Sequence, residues 1–580
     1  MADPLALVAD LLTPVFADVA GRSIDDAPDP VVRPSERADA QVNGALALGK
    51  ALGRAPRDIA QAVADSDALA GVCAEVEVAG PGFLNLTFDD AWLAEQLAAA
   101  MDDDRLGVRP AAHLRHVVVD YSHPNVAKEM HVGHLRSTVI GDALVRMLEF
   151  AGHRVVRENH IGDWGRPFGM LIEHLLDLGE DQAAHELSVG DLDEFYKQAT
   201  TKFQQSAEFQ ERSRHRVVML QQGDAETLRL WRILVDESAG YFESVYTRLG
   251  VRLTRGDIAG ESTYNDLLPE VVRRLQEQGL LVESDGAEVV FVEGFTNRDG
   301  EPLPLIIRNR VGGYNYATTD LACVIDRVER LGADLLLYVV GAPQSQHLEM
   351  VFAVCRAAGW LAAPVEAVHA AFGSVLGADR KMLKSRSGAS VKLAELLDEA
   401  VERASAAVAD KNPDLPADER AAVARMVGIG AVKYADLSTD RIKDYAFDWD
   451  RMLSFDGNTA PYLQYAHARI CSIFRKAGLG RDHVRGTVAT LGDRRERTLA
   501  LGILGYDAAV SESLERYSPH RLCTYLFELA SEFTAFYEHC PVLKAPDEAT
   551  RSSRLALCDA TARVLSHGLG LLGIDAPDQM

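Results

Sequence analysis

The sequence is poor in paired cysteine. Seven cysteines, Cys73, Cys323, Cys355, Cys471, Cys523, Cys540 and Cys558, stand far apart, and none forms a Cys-x-x-Cys pair. An odd, dispersed set argues against a disulfide framework and against a structural zinc site. Long hydrophobic runs are also missing. The longest, residues 335–342 (LLLYVVGA), is strand-sized, far below the roughly 20 residues of a membrane span. The N-terminal MADPLALVAD has no basic stretch before its apolar residues, so a secretory signal is not expected. Positive charge is in deficit: 60 Lys and Arg face 86 Asp and Glu, a formal net charge of −26. That balance argues against indiscriminate nucleic-acid binding and leaves room for a local basic surface. Internal repeats and low-complexity segments are lacking too. The expectation is a reduced, cytoplasmic protein with no membrane partner.

What is present is a globular composition, 47% hydrophobic and 25% charged over 580 residues, enough for about three or four domains. Residues 1–108 read as a small α+β unit. The Ala-rich 38–52 is helix-prone, and 76–88 reads as two strands around Gly80-Pro81-Gly82. An acidic helical stretch then runs out at Asp102-Asp103-Asp104.

Residues 109–400 carry an α/β pattern. Residues 116–121 (HVVVDY) form a strand, 122–134 a polar loop, and 135–150 a helix with Leu135, Val139, Ile140, Leu144, Met147 and Leu148 on one face. Gly152 stops that helix, and 154–159 is the next strand. Strand, helix, strand implies a parallel sheet. An insertion is expected at about 176–300, polar and helical to about 255, with a hairpin at 282–292 turning on Asp-Gly. The α/β pattern resumes with a strand at 303–307, a helix at about 319–331 and a strand at 335–340. Residues 401–455 form a helical link and 456–580 a helical domain. Its segment after Ser518-Pro519, with Leu522, Tyr525, Leu526, Leu529, Phe533, Phe536 and Tyr537 apolar, predicts a helix capped by Ser518 with Pro519 first.

Two short elements carry chemistry. In the loop 123–134 (HPNVAKEMHVGH), His131 and His134 flank Gly133 at a helix start. A helix N-terminus offers free N–H groups and positive potential to phosphate, a glycine admits close approach, and imidazoles can donate to phosphate oxygens. By itself His-x-Gly-His also arises by chance, but ligands bind at the carboxyl ends of strands in doubly wound sheets. Far along the chain, 380–388 (RKMLKSRSG) gathers Lys381 and Lys384 near a glycine. Flexible ammonium groups suit a departing pyrophosphate. Alone, such a stretch reads equally as a solvated basic loop.

Taken together and in this order, HVGH at 131–134 and KMLKS at 381–385 resemble the paired "HIGH" and "KMSKS" elements of class I aminoacyl-tRNA synthetases. Further segments narrow the resemblance to the arginyl-tRNA synthetase family. They are YSHPNVAKEMHVGHLRSTVIGDA (121–143), NHIGDWG (159–165), GGYNYATTDLA (312–322), VVGAPQSQH (339–347) and SGASVKLAELLDEA (387–400). EVAGPGFLNLTF (77–88), FDWDRMLSFDGNTAPYLQYAHARI (447–470) and HRLCTYLFELASEFTAFYEHCPVL (520–543) extend it over essentially the whole chain.

The resemblance implies a multidomain α/β fold. A class I Rossmann-type parallel-sheet catalytic domain, 109–400 with its insertion, stands between a small α+β N-terminal domain that touches tRNA and an all-α anticodon-binding bundle, 456–580. It implies an arginine–tRNA ligase that uses ATP and Mg²⁺, L-arginine and tRNA(Arg), and it favours a monomer. Adenylate formation is expected to require bound tRNA. Asn125, His134, Tyr316, Asp320 and Gln344 would bind arginine. His131, Gly133, His134, Lys381 and Lys384 would bind ATP, and Lys128, with both histidines and both loop lysines, would assist catalysis. No dedicated protein cage for the metal is expected.

Asp320 fits the chemistry, since a carboxylate is the best bidentate partner of a guanidinium. The plainer reading of Asp320 is an acid meeting a helix dipole. Asn125 and Gln344 read equally as turn residues. Arg166-Pro167 stands where relatives more often carry Thr-Gln, and Trp164 reads as packing. Tyr462, Tyr465 and Arg469 suit contacts to exposed bases, although aromatics at helical spacing are usually core. The alternatives are a repurposed or non-catalytic paralogue on the same scaffold, and a small-molecule nucleotidyltransferase. A helical C-terminal region speaks against the second.

Overall fold

The computed structural model describes residues 3–35, 37–179, 192–377, 379–383 and 390–580. The chain opens with α1 (Pro4–Ala20), whose N-cap Asp3 accepts from the Leu5 amide and whose end is set by left-handed Gly21. Strands β1 (Val32–Pro34) and β2 (Ala40–Val42) precede α2 (Gly44–Leu52) and α3 (Pro56–Ala64). Strands β3 (Cys73–Ala79) and β4 (Phe83–Phe88) complete an antiparallel sheet in the order β1-β2-β4-β3, and α4 (Asp90–Asp102) follows. The Ala-rich run expected as one helix is split. Ala40 and Val42 are buried and pair with Leu86 and Leu84 of β4, so tertiary pairing overrides helix propensity until Gly44.

The parallel sheet begins with β5 (His116–Asp120), α5 (Val132–Phe150) and β6 (Arg154–Glu158). Val117, Val118 and Val119 are all buried, as strands covered on both faces must be. The chain then leaves the sheet for α6 (Pro167–Leu178), α7 (Leu192–Gln205), α8 (Ala207–Gln221), the long α9 (Ala225–Leu249) and α10 (Leu268–Glu277). Strands β7 (Val282–Ser284), β8 (Ala287–Thr296) and β9 (Pro302–Arg308) form a separate antiparallel sheet, with the hairpin turning at Asp285-Gly286, both at positive φ.

This corrects one expectation. The strand read at 303–307 as a return to the α/β core is β9, and it pairs with β8. The short connection, tied by Asn297 Oδ1 to the Asp299 and Glu301 amides, keeps it beside its neighbour.

The core resumes with α11 (Tyr316–Ile325), closed by a π turn at Asp326–Arg330, then β10 (Leu335–Tyr338), α12 (Ser345–Ala357), β11 (Glu366–His369) and β12 (Val375–Leu376). The parallel order is β11-β10-β5-β6. From β5 the chain steps one way to β6 and later resumes at β10 on β5's other side. The crevice between the carboxyl ends of β5 and β10 is therefore the topological switch point.

Helices α13 (Leu393–Lys411) and α14 (Ala417–Leu437) lead to β13 (Tyr445–Ala446), which pairs with β12, and to the single turn α15 (Trp449–Met452). The C-terminal bundle comprises α16 (Ala460–Ala477), α17 (Arg494–Leu504), α18 (Tyr506–Glu515), α19 (His520–His539) and α20 (Glu548–Leu571). The predicted cap of α19 is not made. Pro519 stands at the N-cap, and Ser518 Oγ instead donates to Arg516 O at 2.9 Å.

Charged ties join these parts. Arg497 of α17 grips Asp39 with both terminal nitrogens at 2.6 Å and reaches Asp90 at 2.6 Å, fastening the N-terminal unit to the bundle. Arg136 of α5 meets Asp436 of α14 in a buried pair at 3.2 Å. Lys433 of α14 is fully buried. Its ammonium donates to Leu249 O at 2.8 Å and Gly573 O at 2.6 Å, beside Asp142 of α5. Burial pushes its pKa down to about 8, against the pull of Asp142. Among the described residues no helix is long and apolar enough to cross a membrane.

Candidate active site

After β5 the backbone turns through Ser122, His123 and Ala127, each at positive φ, a conformation costing about 1–3 kcal/mol per residue. Neighbours hold it there. The Ser122 amide donates to Ser137 Oγ at 2.8 Å, the Ala127 amide to Ser238 Oγ at 2.9 Å, and the Met130 amide to the Tyr241 hydroxyl at 3.3 Å. Two of these three come from α9, so the insertion braces the loop.

His131 caps α5, three residues earlier than periodicity alone suggested, and its Nδ1 accepts from the Gly133 amide at 3.0 Å. The His134 Nδ1 reaches back to accept from the His131 amide at 3.1 Å, and the rings lie 4.0 Å apart. A Cβ at Gly133 would stand 2.7 Å from the His131 ring, so only glycine permits this curl. With both Nδ1 atoms accepting, the proton of each neutral ring sits on Nε2. Burial, then the neighbouring His131, holds His134 down at about 3, and burial lowers His131 as well. The pair is thus two neutral N–H donors at a helix N-terminus.

The segment beyond the lysine loop docks on this corner. The Val132 amide donates to Val391 O at 3.0 Å, the Leu393 amide to Met130 O at 2.8 Å, and Lys392 pairs with Glu129 at 2.8 Å. Lys381 is exposed on a turn closed by the Gly377 amide on Lys381 O at 2.8 Å. Lys384 lies outside the described residues. Lys128 is half-buried, its ammonium 4.3 Å from the centroid of the Tyr196 ring.

Across the crevice, α11 starts at Tyr316 and carries Asp320 one turn later. Asp320 Oδ2 meets His347 Nε2 of α12 at 2.5 Å, and the Tyr316 ring lies 4.7 Å from the same imidazole. Glu261 stands nearby. Burial, then Asp163 and Asp320, pushes it up to about 7. Asn125 is exposed and bridges to Gly162, where a Cβ would come within 2.4 Å of its Oδ1. Gln344 is exposed at the N-cap of α12, beyond the end of β10.

Beneath this floor Arg327, 1% exposed, binds Asp120 at 2.7 Å and Glu158 at 2.7 Å. Burial opposes ionisation of Asp120, but Arg327, then His123, hold its carboxyl well below the usual carboxylate range. The acids at the ends of β5 and β6 are therefore spent on an internal guanidinium. Asp320 stands outside that network, engaged by the His347 imidazole.

The chain matches the description "tRNA synthetases class I (R), catalytic domain" over residues 96–449, "Arginyl tRNA synthetase N terminal domain" over 8–88, and "DALR anticodon binding domain" over 463–580. An arginine–tRNA ligase of Thermobifida fusca is 56% identical over 580 residues, all of both chains. The chain belongs to the arginyl-tRNA synthetase family. An Escherichia coli arginine–tRNA ligase is 49% identical across 95% of this chain and 96% of its own. The crystal structure of the Plasmodium falciparum arginyl-tRNA synthetase superposes with a TM-score of 0.81 at 27% identity, covering 99% of this chain and 98% of that one. The Thermus thermophilus arginyl-tRNA synthetase gives 0.80 at 28%, covering 99% of each.

Within this synthetase fold, His131, Gly133 and His134 come together at the start of α5, and Tyr316 and Asp320 come together on the first turns of α11. Glu261 and His347 escaped sequence reasoning. Glu261 lies in a stretch without a motif, and His347 ends the segment 339–347 without a role read for it; folding sets both beside Asp320. Arg166 and Pro167 are exposed and simply open α6, with Pro167 at its first position. Trp164 packs edge-on against Trp231 at 5.7 Å, as a packing residue does.

On the bundle, Tyr462 is internal, its ring 5.7 Å from Phe527 and its hydroxyl 3.3 Å from Thr534 Oγ1. Tyr465 and Tyr537 are exposed by 36% and 37%, and the Arg469 guanidinium lies 5.0 and 5.5 Å from their ring centroids. They line a cleft with Lys411, Arg475, Lys476 and the C-terminal Met580. In this strongly acidic protein, it is a basic and aromatic surface.

Proposed function

We infer that this chain is an arginine–tRNA ligase, activating L-arginine with ATP to arginyl-adenylate and transferring it to the 3′-terminal ribose of tRNA(Arg). The observation that carries the substrate choice is Asp320, a carboxylate held beside Tyr316 and Glu261 while the other acids at the sheet's carboxyl edge serve Arg327. A guanidinium is the cation whose planar fork suits such a wall.

In the first step the arginine carboxylate attacks the α-phosphorus of ATP and pyrophosphate leaves. No enzyme nucleophile is required. The Nε2–H groups of His131 and His134 donate to oxygens where charge grows, and Lys128, Lys381 and Lys384 meet the departing pyrophosphate. Asn125 and Gln344 orient the polar end of arginine. Magnesium would be held chiefly by the ATP phosphates. Glu129 is tied to Lys392 and Asp193 accepts from the Glu129 amide, so the acids nearest the histidine pair do not form a cage. That donor set fits an ion carried by phosphate oxygens, where it would screen their charge. In the second step the ribose attacks the adenylate, through its 2′-hydroxyl by the class I resemblance.

Residues 1–108 and the aromatic cleft around Tyr465 supply tRNA contacts, with 456–580 as the anticodon-binding region. The work is cytoplasmic, in keeping with cysteines that are all free thiols. The test is aminoacylation of total tRNA with each amino acid tried separately, alongside pyrophosphate exchange with and without tRNA(Arg). Charging with arginine alone is expected. Equal charging with lysine would overturn the reading.

A further inference from the structure

The tail beyond α20 folds back on α16 and completes a cluster that the ligase reaction does not use. His467 and Cys471 stand one helical turn apart on α16 and so share a face. Asp578 arrives from the tail. One donor atom from each lies within 4.8 Å of the others. Cys471 Sγ is 3.9 Å from both imidazole nitrogens and 3.4 Å from Asp578 Oδ1. The ligands of a tetrahedral zinc ion lie roughly 3.3–3.8 Å apart, given bond lengths near 2.0–2.3 Å. His467 and Cys471 are buried, and Asp578 is exposed.

The outer contacts match those of a metal-binding imidazole. His467 Nδ1 lies 3.1 Å from the Pro577 carbonyl, which it can meet only as a donor. The tautomer is thereby fixed with the Nε2 lone pair free, as metal-ligating histidines are oriented by backbone carbonyls.

We propose that His467, Cys471 and Asp578 form a binding site for a borderline-soft divalent ion of the zinc class, with three protein ligands and one open position toward solvent. On binding, the Cys471 S–H bond breaks, its proton passes to solvent and sulfur bonds the metal. Thiolate, carboxylate and dication then sum to no net charge, so the loaded site adds no positive charge beside Arg475 and Arg481. The ion would staple the tail to α16. Arg475 already donates to Asp578 O at 3.0 Å and Asn412 to Met580 O at 3.1 Å. Gln579 and Met580 wall the cleft of Tyr465, Arg469 and Tyr537, so occupancy would stiffen one side of that surface.

The test uses the full chain, stripped with a chelator and titrated with Co²⁺ in saturating arginine. The arginine blocks a second grouping of similar type, His160, Asp320 and Cys323, at the substrate pocket. About one equivalent of Co²⁺ should give a near-ultraviolet thiolate-to-cobalt charge-transfer band that Zn²⁺ displaces. Cys471→Ser should abolish it. Asp578→Asn, a change of one exposed side chain, should weaken Co²⁺ binding about tenfold or more. Zn²⁺ should slow carboxypeptidase trimming of the tail in the native chain and not in Cys471→Ser. Absence of the band, its survival in Cys471→Ser, or its appearance only without arginine would overturn the proposal.

Discussion

At the carboxyl ends of β5 and β10, polar side chains are locked by one another, whereas on the outer faces of α16 and α19 they meet in solvent. Asp120, Glu158 and Arg327 share a buried network, His131 and His134 cap the same helix, and Asn125 lies against a glycine that leaves it room. Tyr465, Tyr537 and Arg469 are held mainly by ring and cation contacts on helix surfaces. The first region has few degrees of freedom, so one altered atom should cost much. The second presents broad, sequence-tolerant stacking faces, and losses there should be graded.

The sharpest blow to this comparison is Asp320→Asn. Removing a charge from a guanidinium pair costs about 3 kcal/mol or more, so kcat/KM for arginine should fall by about 10²-fold or more while KM for ATP holds. Unchanged arginine affinity would remove the pocket assignment. Next comes His134→Ala. Loss of one preorganised donor costs about 10²–10³ in kcat, and single-turnover adenylate formation should show it. Because His134 is held near 3, the native rate should show no limb from its protonation above about pH 5.

On the bundle, Tyr465→Ala should raise KM for tRNA(Arg) about tenfold, from roughly 1–3 kcal/mol of stacking per base, and leave kcat for a saturating tRNA nearly intact. A collapse of kcat instead would erase the contrast between the regions. The smallest effect concerns Glu261. Its raised pKa of about 7 means it is neutral below neutrality, while a bound guanidinium favours the ionised form. Arginine binding should therefore expel a proton, and arginine affinity should weaken as pH falls through about 7, by at most about tenfold per unit. Glu261→Gln should flatten that profile, as isothermal titration in buffers of different ionisation enthalpy would read.

Local patterns announced the strand–loop–helix that bears HVGH, the Asp-Gly hairpin and the helical last third, because each is written in periodicity or turn chemistry within a short span. Pairing across distance was not legible. Nothing in PLPLIIR tells β9 to join β8 rather than the parallel sheet, and nothing near Arg327 names Asp120, 207 positions away. The candidate site divides the same way. His131, His134 and Asp320 sit in motifs whose chemistry can be read, whereas Glu261 lies in none, and the role of His347, inside the segment 339–347, shows only in what folding sets beside it. Dispersed cysteines speak against a zinc site because spacing rules look for near neighbours, whereas a grouping such as Cys471 with Asp578, 107 positions away, shows only in the fold.

Lys433 has a mechanical consequence. Its ammonium is claimed at once by the final carbonyl of α9, by a carbonyl just past α20, and by an acid of the helix that begins at His131. Any swing of the last helix against the insertion must either strand a cation out of water, at several kcal/mol, or drag the other claimants along. One ammonium thus ties the end of the last helix to the helix that carries His131 and His134.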